Sequence, residues 1–101
     1  MTWIDATSAS LPDGTLVSLV HGDRHVAVGR AAGTWHAVDG WCTHAECPLG
    51  DGWLEDAAVR CACHGALFDL ATGAVLEGPA AEPVAVFATR VSGERIEVEI
   101  P

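Results

Sequence analysis

Short apolar runs alternate with turn residues along the chain, and this spacing predicts strands rather than helices. No window carries the sustained i, i+3, i+4, i+7 apolar spacing, bounded by caps, that an amphipathic helix requires. In the last predicted strand, Ile96, Val98 and Ile100 alternate with Glu97 and Glu99, so one face is expected to be buried and the other wet. The pattern predicts an all-β protein built from antiparallel strands.

Glycine, proline and aspartate punctuate the predicted strands, and the dipeptide Asp39-Gly40 is a hairpin signal that ends one of them. Within that strand, Trp35 and Ala37 are expected on one face and His36 on the other with Val38. The predicted strands cover residues 2–6, 15–20, 25–30, 34–38, 53–54, 57–60, 66–69, 75–76, 84–91 and 95–100.

A chain of 101 residues, half of them apolar, predicts one domain over residues 1–101 with a packed core and no need for a disulfide framework. The first residues contain neither a basic region nor a long apolar run, which argues against a secretory signal or a membrane anchor. We therefore expect a cytoplasmic protein. In a reducing compartment, clustered cysteines are interpreted first as metal ligands.

The net charge of −9 comes from fourteen carboxylates and five arginines, and the chain has no lysine. Nucleic acid and anionic membranes are poor partners for such a chain, because both require a basic face. The acidity has two interpretations: it keeps a small protein in solution, or it steers the protein onto basic patches of partner proteins.

The tryptophans and isolated histidines have simpler interpretations than the cysteines. Trp3 and Trp35 are expected in the core, and Trp41 and Trp53 are expected to pack beneath the loops that they flank. The histidines outside the cysteine-rich stretch are interpreted as ordinary polar positions; these are His21, His25 and His36.

The chemistry of the chain is concentrated between residues 41 and 68, which contain all four cysteines and two of the five histidines. Two short motifs stand out, Cys42-x-His44 and Cys61-x-x-His64, with sixteen residues between His44 and Cys61. Two soft thiolates and two imidazoles delivered by two loops predict a metal site.

Several kinds of site compete for this pattern. Structural zinc usually takes paired cysteines or a cysteine pair with a histidine pair, whereas each motif here mixes the two and two more cysteines remain. A cysteine nucleophile needs one thiolate and one mobile histidine base, which is less than the pattern offers. Disulfides alone would explain the cysteines without the histidines. A mixed-ligand [2Fe–2S] cluster accounts for two thiolates and two imidazoles, with potentials of about −150 to +300 mV.

From about residue 39 to residue 79 the sequence resembles the Rieske family, whose motif is Cys-x-His followed after fifteen to seventeen residues by Cys-x-x-His. The resemblance implies one Rieske-type [2Fe–2S] cluster, with Cys42 and Cys61 on one iron and His44 and His64 on the other. It also implies a small antiparallel β-sandwich or barrel, with a cluster-binding subdomain at about 40–79 formed by two ligand loops.

The same resemblance places further features around the cluster. A third loop is expected at residues 78–79, and backbone N–H groups near His44, Cys47 and Gly65 are expected to point at cluster sulfurs. Cys47 and Cys63 occupy the positions of an inter-loop disulfide of the high-potential members, so we expect the two to be adjacent and able to form a bridge.

Two positions near the second motif bear on the reduction potential. High-potential members typically have a serine and a tyrosine where this chain has Ala66 and Phe68, and the chain contains no tyrosine. Without those two hydroxyl donors, we expect a potential near the low end of the range, about −150 mV.

The resemblance implies an electron carrier rather than an enzyme. It would pass single electrons from an NAD(P)H-dependent flavoprotein reductase to a terminal aromatic-ring-hydroxylating oxygenase. The alternatives are a component of another redox system, similar to a nitrite-reductase small subunit, and a structural zinc module. We expect a monomer that docks transiently near His44 and His64, with steering by four carboxylates; these are Glu46, Asp51, Glu55 and Asp56.

Overall fold

The computed structural model describes residues 2–42, 47–63, 65–78 and 82–101, and it confirms the all-β class. Apart from a short 3₁₀ turn at Leu49–Asp51, every regular element in these ranges is a strand. The strands are β1 (Thr2–Ser8), β2 (Leu16–His21), β3 (Arg24–Ala31), β4 (Thr34–Asp39), β5 (Trp53–Glu55), β6 (Ala58–Arg60), β7 (Leu67–Asp69), β8 (Val75–Glu77), β9 (Val86–Phe87), β10 (Thr89–Ser92) and β11 (Arg95–Ile100). No helix within the described ranges is long and apolar enough to cross a membrane.

The described strands form three antiparallel sheets, with orders β1-β11-β10, β2-β3-β4-β9 and β5-β6-β7-β8. The middle sheet is buried on both faces at its centre, where alternate residues of β3 and β4 enter two different cores. On β3, Val26 and Val28 join the core that contains Ile4 and Val98, whereas Ala27 faces the opposite core. The middle sheet therefore separates the sheet formed by the chain ends from the sheet that carries the second cysteine motif.

The core that contains Ala27 lies directly beneath the cysteine motifs. Phe68, Leu49 and Val59 are fully buried in it, and Cys42 and Cys61 belong to the same cluster of packed side chains. The predicted faces of β4 are confirmed, since Ala37 packs into one core with Trp35 and Val38 packs into the other. The cysteine motifs thus lie against a packed apolar core.

The predicted strand over residues 84–91 is wrong as a single element. β9 pairs with β4 in the middle sheet, whereas β10 pairs with β11 in the terminal sheet. Ala88 lies between them, and its carbonyl accepts a hydrogen bond from the N–H of Glu99 at 2.9 Å. The sequence hid this change of sheet, because strand-forming residues such as valine and threonine occur on both sides of Ala88 and do not indicate which strand each segment pairs with.

Gly40 ends β4 as predicted, but its role is not that of a hairpin glycine. Its N–H donates to the carbonyl of His25 at 2.8 Å, and a Cβ at this position would lie 2.7 Å from the His25 carbonyl carbon. The residue is therefore glycine because two backbones approach closely here. That approach fixes where the chain enters the first cysteine motif.

Candidate metal centre

The first cysteine motif begins as a narrow antiparallel ladder continuing from β4. Leu49 N–H donates to the carbonyl of Gly40 at 2.7 Å, and Cys42 N–H donates to the carbonyl of Cys47 at 2.9 Å. Trp41 and Pro48 form an antiparallel bridge between these two bonds. The ladder places Cys42 and Cys47 opposite each other.

The second motif lies at the tip of the β6–β7 hairpin. Cys61 N–H donates to the carbonyl of Ala66 at 2.8 Å, which closes the loop, and Gly65 has a left-handed backbone with φ of 78°. The expectation that the Gly65 N–H points at a cluster sulfur is wrong for this structure, because that group donates to the Cys61 carbonyl at 3.0 Å. The tight turn within the loop uses this donor internally.

The loops of the two cysteine motifs are joined through cysteine sulfur atoms. Cys47 and Cys63 form a disulfide with a Cα–Cα distance of 6.4 Å, and the Sγ atoms of Cys47, Cys61 and Cys63 all lie within 4.8 Å of one another. Cys42 and Cys61 lie outside the disulfide and are buried, with exposures of 4% and 1%. The predicted ligands His44 and His64 lie outside the described residues, as do Glu46 and Pro79 of the predicted docking and third-loop positions.

A thiol count tests whether the bridge persists in solution. We expect two of the four cysteines to react when the protein is denatured anaerobically with an alkylating reagent, because a disulfide joining two loops resists alkylation. Adding a dithiol reductant before alkylation should give four modified cysteines, measured by mass spectrometry. Four modified cysteines without reductant would show that the bridge is open, as a reducing cytosol favours.

Arg60 holds the second loop and was not identified from the sequence. Its Nη1 donates to the carbonyl of Gly65 at 2.6 Å, and its Nη2 donates to Glu55 at 2.9 Å and to Glu77 at 3.0 Å. One guanidinium thus joins the loop that contains Cys61 to β5 and β8, using the planar fork that suits arginine to several acceptors. The sequence signal was present, since Arg60 immediately precedes Cys61 and Glu55 lies across a two-residue turn.

The charge of Arg60 also changes the acid–base behaviour of Glu55. Hydrogen bonds from Arg60, and a smaller one from the Trp53 indole, lower the pKa of Glu55 to about 2. A carboxylate with a depressed pKa stabilises the fold above its unfolded pKa, and this contribution is lost as the pH falls towards the folded value. The window runs from about pH 4.5 down to about pH 2.

The Glu55→Gln variant tests this linkage. We expect a lower melting temperature than wild type at pH 7, and a difference that shrinks markedly at pH 3, because the Glu55 carboxyl of the unfolded chain is then already protonated. Thermal unfolding followed by circular dichroism measures both values. Asp56→Asn is the matched control: it removes a neighbouring charge, and asparagine tolerates the left-handed backbone of φ 53°. An unchanged Glu55→Gln difference at pH 3 would contradict the linkage.

The predicted steering carboxylates do not share one surface. Glu55 is engaged by Arg60 and Trp53, so its charge is partly neutralised. Asp56 borders a cleft with Asp13 and Ala32, at the turn of the β5–β6 hairpin rather than at the end that leads into Cys61. Of the described candidates, Asp51 remains an exposed carboxylate next to the first motif.

The two tryptophans that flank the motifs behave differently. Trp41 packs against His25, with ring centroids 4.3 Å apart, and this contact ties the base of the first loop to β3. Trp53 is 49% exposed, so the expectation that it packs beneath the loops is wrong. Its indole N–H donates instead to Glu55 at 2.9 Å on the outer face of the sheet.

The described donors fit an iron–sulfur cluster. Each loop supplies one buried cysteine outside the disulfide, and the two belong to one apolar cluster of side chains. Soft thiolates in an apolar, water-excluding surround are the usual protein ligands of such clusters. Residues 2–88 match the family described as the Rieske [2Fe-2S] domain. The chain belongs to the Rieske family.

Relatives of this Rieske protein are ferredoxin components, which are electron carriers of multicomponent dioxygenases. The chain is 27% identical over 99 residues to the ferredoxin component of the naphthalene 1,2-dioxygenase system of Pseudomonas aeruginosa, covering 97% of this chain and 95% of that protein. It is 35% identical over 81 residues to the anthranilate 1,2-dioxygenase ferredoxin subunit of Burkholderia cepacia, covering 80% and 75%.

A solved complex of reduced oxygenase and oxidized ferredoxin in carbazole 1,9a-dioxygenase contains a similar chain. The match has a TM-score of 0.91 at 28% identity and covers 95% of this Rieske protein and 100% of that chain. The expected resemblance to ferredoxin components of ring-hydroxylating systems is therefore confirmed.

Proposed function

We propose that this protein carries single electrons from an NAD(P)H-dependent flavoprotein reductase to a terminal aromatic-ring-hydroxylating oxygenase. The observation that supports this proposal is the match to the Rieske family over residues 2–88, in a chain whose two loops each bring a buried cysteine to one place. The relatives named as ferredoxin components support the carrier role, and the carbazole complex supports an oxygenase as the acceptor.

In this proposal, Cys42 and Cys61 hold one iron of a [2Fe–2S] cluster, and His44 and His64 hold the other. The bound cluster supplies a reversible one-electron couple. The chain itself excludes water with the core around Phe68 and keeps the second loop closed through two backbone bonds at Cys61 and the bond from Arg60 to Gly65.

The setting that we propose is the cytoplasm, where a monomer docks briefly on each partner in turn. The acidic surface supports protein partners with basic patches rather than nucleic acid or anionic membrane. Brief docking suits a shuttle, and such contacts are small, below about 1,200 Å² in total.

The visible spectrum and the electron paramagnetic resonance signal of the purified protein test the cluster. We expect a coloured protein that bleaches on reduction and then gives the low-average-g signal of a mixed-ligand [2Fe–2S] centre. A colourless protein that contains zinc would contradict the proposal and favour the structural zinc module. Reduction by a flavoprotein reductase and NADH, followed optically, then tests the direction of electron flow.

A further inference from the structure

Trp53 is a large apolar side chain at an unusual place on the surface. It begins β5, and its register partner across the ladder is Arg60, the residue immediately before the ligand Cys61. Residues directly opposite in an antiparallel pair share a face of the sheet and lie about 5 Å apart. The half-exposed indole therefore lies on the outer face of the β5-β6-β7-β8 sheet, beside the loop that contains Cys61.

The orientation of this indole is fixed. Its N–H donates to Glu55 at 2.9 Å, and the same carboxylate accepts a hydrogen bond from Arg60 at 2.9 Å. A side chain already held in one orientation loses little conformational entropy when a partner covers it. Tryptophan is also among the residues that most often dominate the energy of an interface.

The surroundings of Trp53 are acidic. Asp51 is exposed two residues earlier, Glu55 holds the indole, and the side chain of Glu77 is 58% exposed, whereas Arg60, which pairs with both glutamates, is 20% exposed. The chain has no lysine, and its other four arginines also bond or stack elsewhere: Arg24, Arg30, Arg90 and Arg95. The rim around the indole thus presents carboxylates to an incoming surface.

We propose that Trp53, with the carboxylates of Asp51, Glu55 and Glu77, forms the docking patch for the protein that accepts the electron. This Trp53 patch fits a partner whose surface offers an apolar recess ringed by arginine or lysine side chains. Charge complementarity selects the basic rim, and the indole fills the recess. The proposal rests on the proposed electron-carrier function, because it assigns the surface through which that function operates.

Cytochrome c is the probe, because its exposed haem edge is an apolar surface surrounded by lysines. The second-order rate of its reduction by the prereduced holoprotein is measured by stopped flow at low and high salt. We expect Trp53→Ala to lower the low-salt rate about tenfold, the loss associated with one interface anchor. Trp53→Phe, which keeps an aromatic ring, should retain most of the rate.

Val91→Ala is the matched control, since Val91 is 61% exposed. It pairs with Ile96 near the start of β11, whereas the end of that strand, at Ile100, borders the cleft containing Trp41. Val91 therefore lies towards the end of the molecule away from the ligand loops, and its replacement should leave the rate unchanged. High salt should slow wild type and reduce the gap between wild type and an Asp51→Asn variant.

The outcomes separate the patch from the carrier function. A Trp53→Ala rate within twofold of wild type, with the spectrum and reduction potential unchanged, would overturn the patch while leaving the carrier intact. Equal losses in Trp53→Ala and Val91→Ala would also overturn it, because the effect would not depend on position. A wild-type protein without a reducible cluster would instead contradict the carrier function itself.

Discussion

Replacing Cys61 with alanine is expected to abolish cluster binding, with iron content at least about tenfold below that of wild type. Loss of a contact in the second shell of a metal site already costs about 10- to 100-fold in affinity, and Cys61 is proposed as a direct ligand. The residue is 1% exposed, so water cannot readily replace its sulfur, and the neighbouring sulfurs of Cys47 and Cys63 are joined in the disulfide. Iron and sulfide analysis of the purified variant, together with its visible spectrum, measures the result.

Cys63→Ala is the control for that variant, because the second motif contains both residues within three positions. The structure places Cys63 in the disulfide with Cys47, so its loss should leave the protein coloured, with cluster release on warming somewhat faster. A colourless Cys63→Ala protein beside a coloured Cys61→Ala protein would reverse the proposed roles. Circular dichroism of both variants shows whether the sheets remain folded.

The sequence contained enough information for the strand pattern and the location of the site. Period-two alternation in β11 and the turn residues between strands reflect local backbone and burial preferences, which a single chain displays directly. The cysteine motifs were equally visible, because metal ligands require particular residue types at short spacings. These features depend on neighbours in the chain.

What the sequence did not reveal depends on contacts between distant residues. The segment 84–91 divides between two sheets because β9 and β10 pair with different strands, and the sequence of a strand does not specify its pairing partner. The roles of Arg60 and Trp53 were missed for a similar reason. Their importance comes from the register of β5 against β6, which aligns Trp53 with Arg60, the residue before Cys61.

The Arg60 network also explains why acidic residues near the motifs could not be assigned to docking from composition alone. Glu55 bonds to Arg60 beside the second cysteine motif, whereas Asp56, its neighbour in sequence, occupies the turn at the other end of the β5–β6 hairpin. A hairpin reverses direction within a few residues, so adjacency in the chain does not give adjacency on a surface. The carboxylates that can steer a partner must therefore be identified from the fold rather than from the composition.

Introducing two hydroxyl groups, as Ala66→Ser and Phe68→Tyr together, is expected to raise the reduction potential by roughly 100 mV from about −150 mV. Both positions are fully buried in the core that contains Cys42 and Cys61, so each hydroxyl would enter a dry environment close to the ligands. A donor there stabilises the more negative, reduced state of the cluster, because hydrogen bonding to cluster sulfur is one of the levers on potential. Protein-film voltammetry measures the shift.

Phe87→Tyr is the matched control for that experiment, since Phe87 is the other phenylalanine of the chain and packs against the opposite core. Its added hydroxyl is separated from the ligand loops by the middle sheet, so the potential should stay within about 20 mV of wild type, well inside the range of about 450 mV spanned by mixed-ligand clusters. A double variant that keeps the wild-type potential would show that Ala66 and Phe68 do not set it. A low wild-type potential would then have to come from another cause, such as the solvent exposure of the cluster or the net charge of −9.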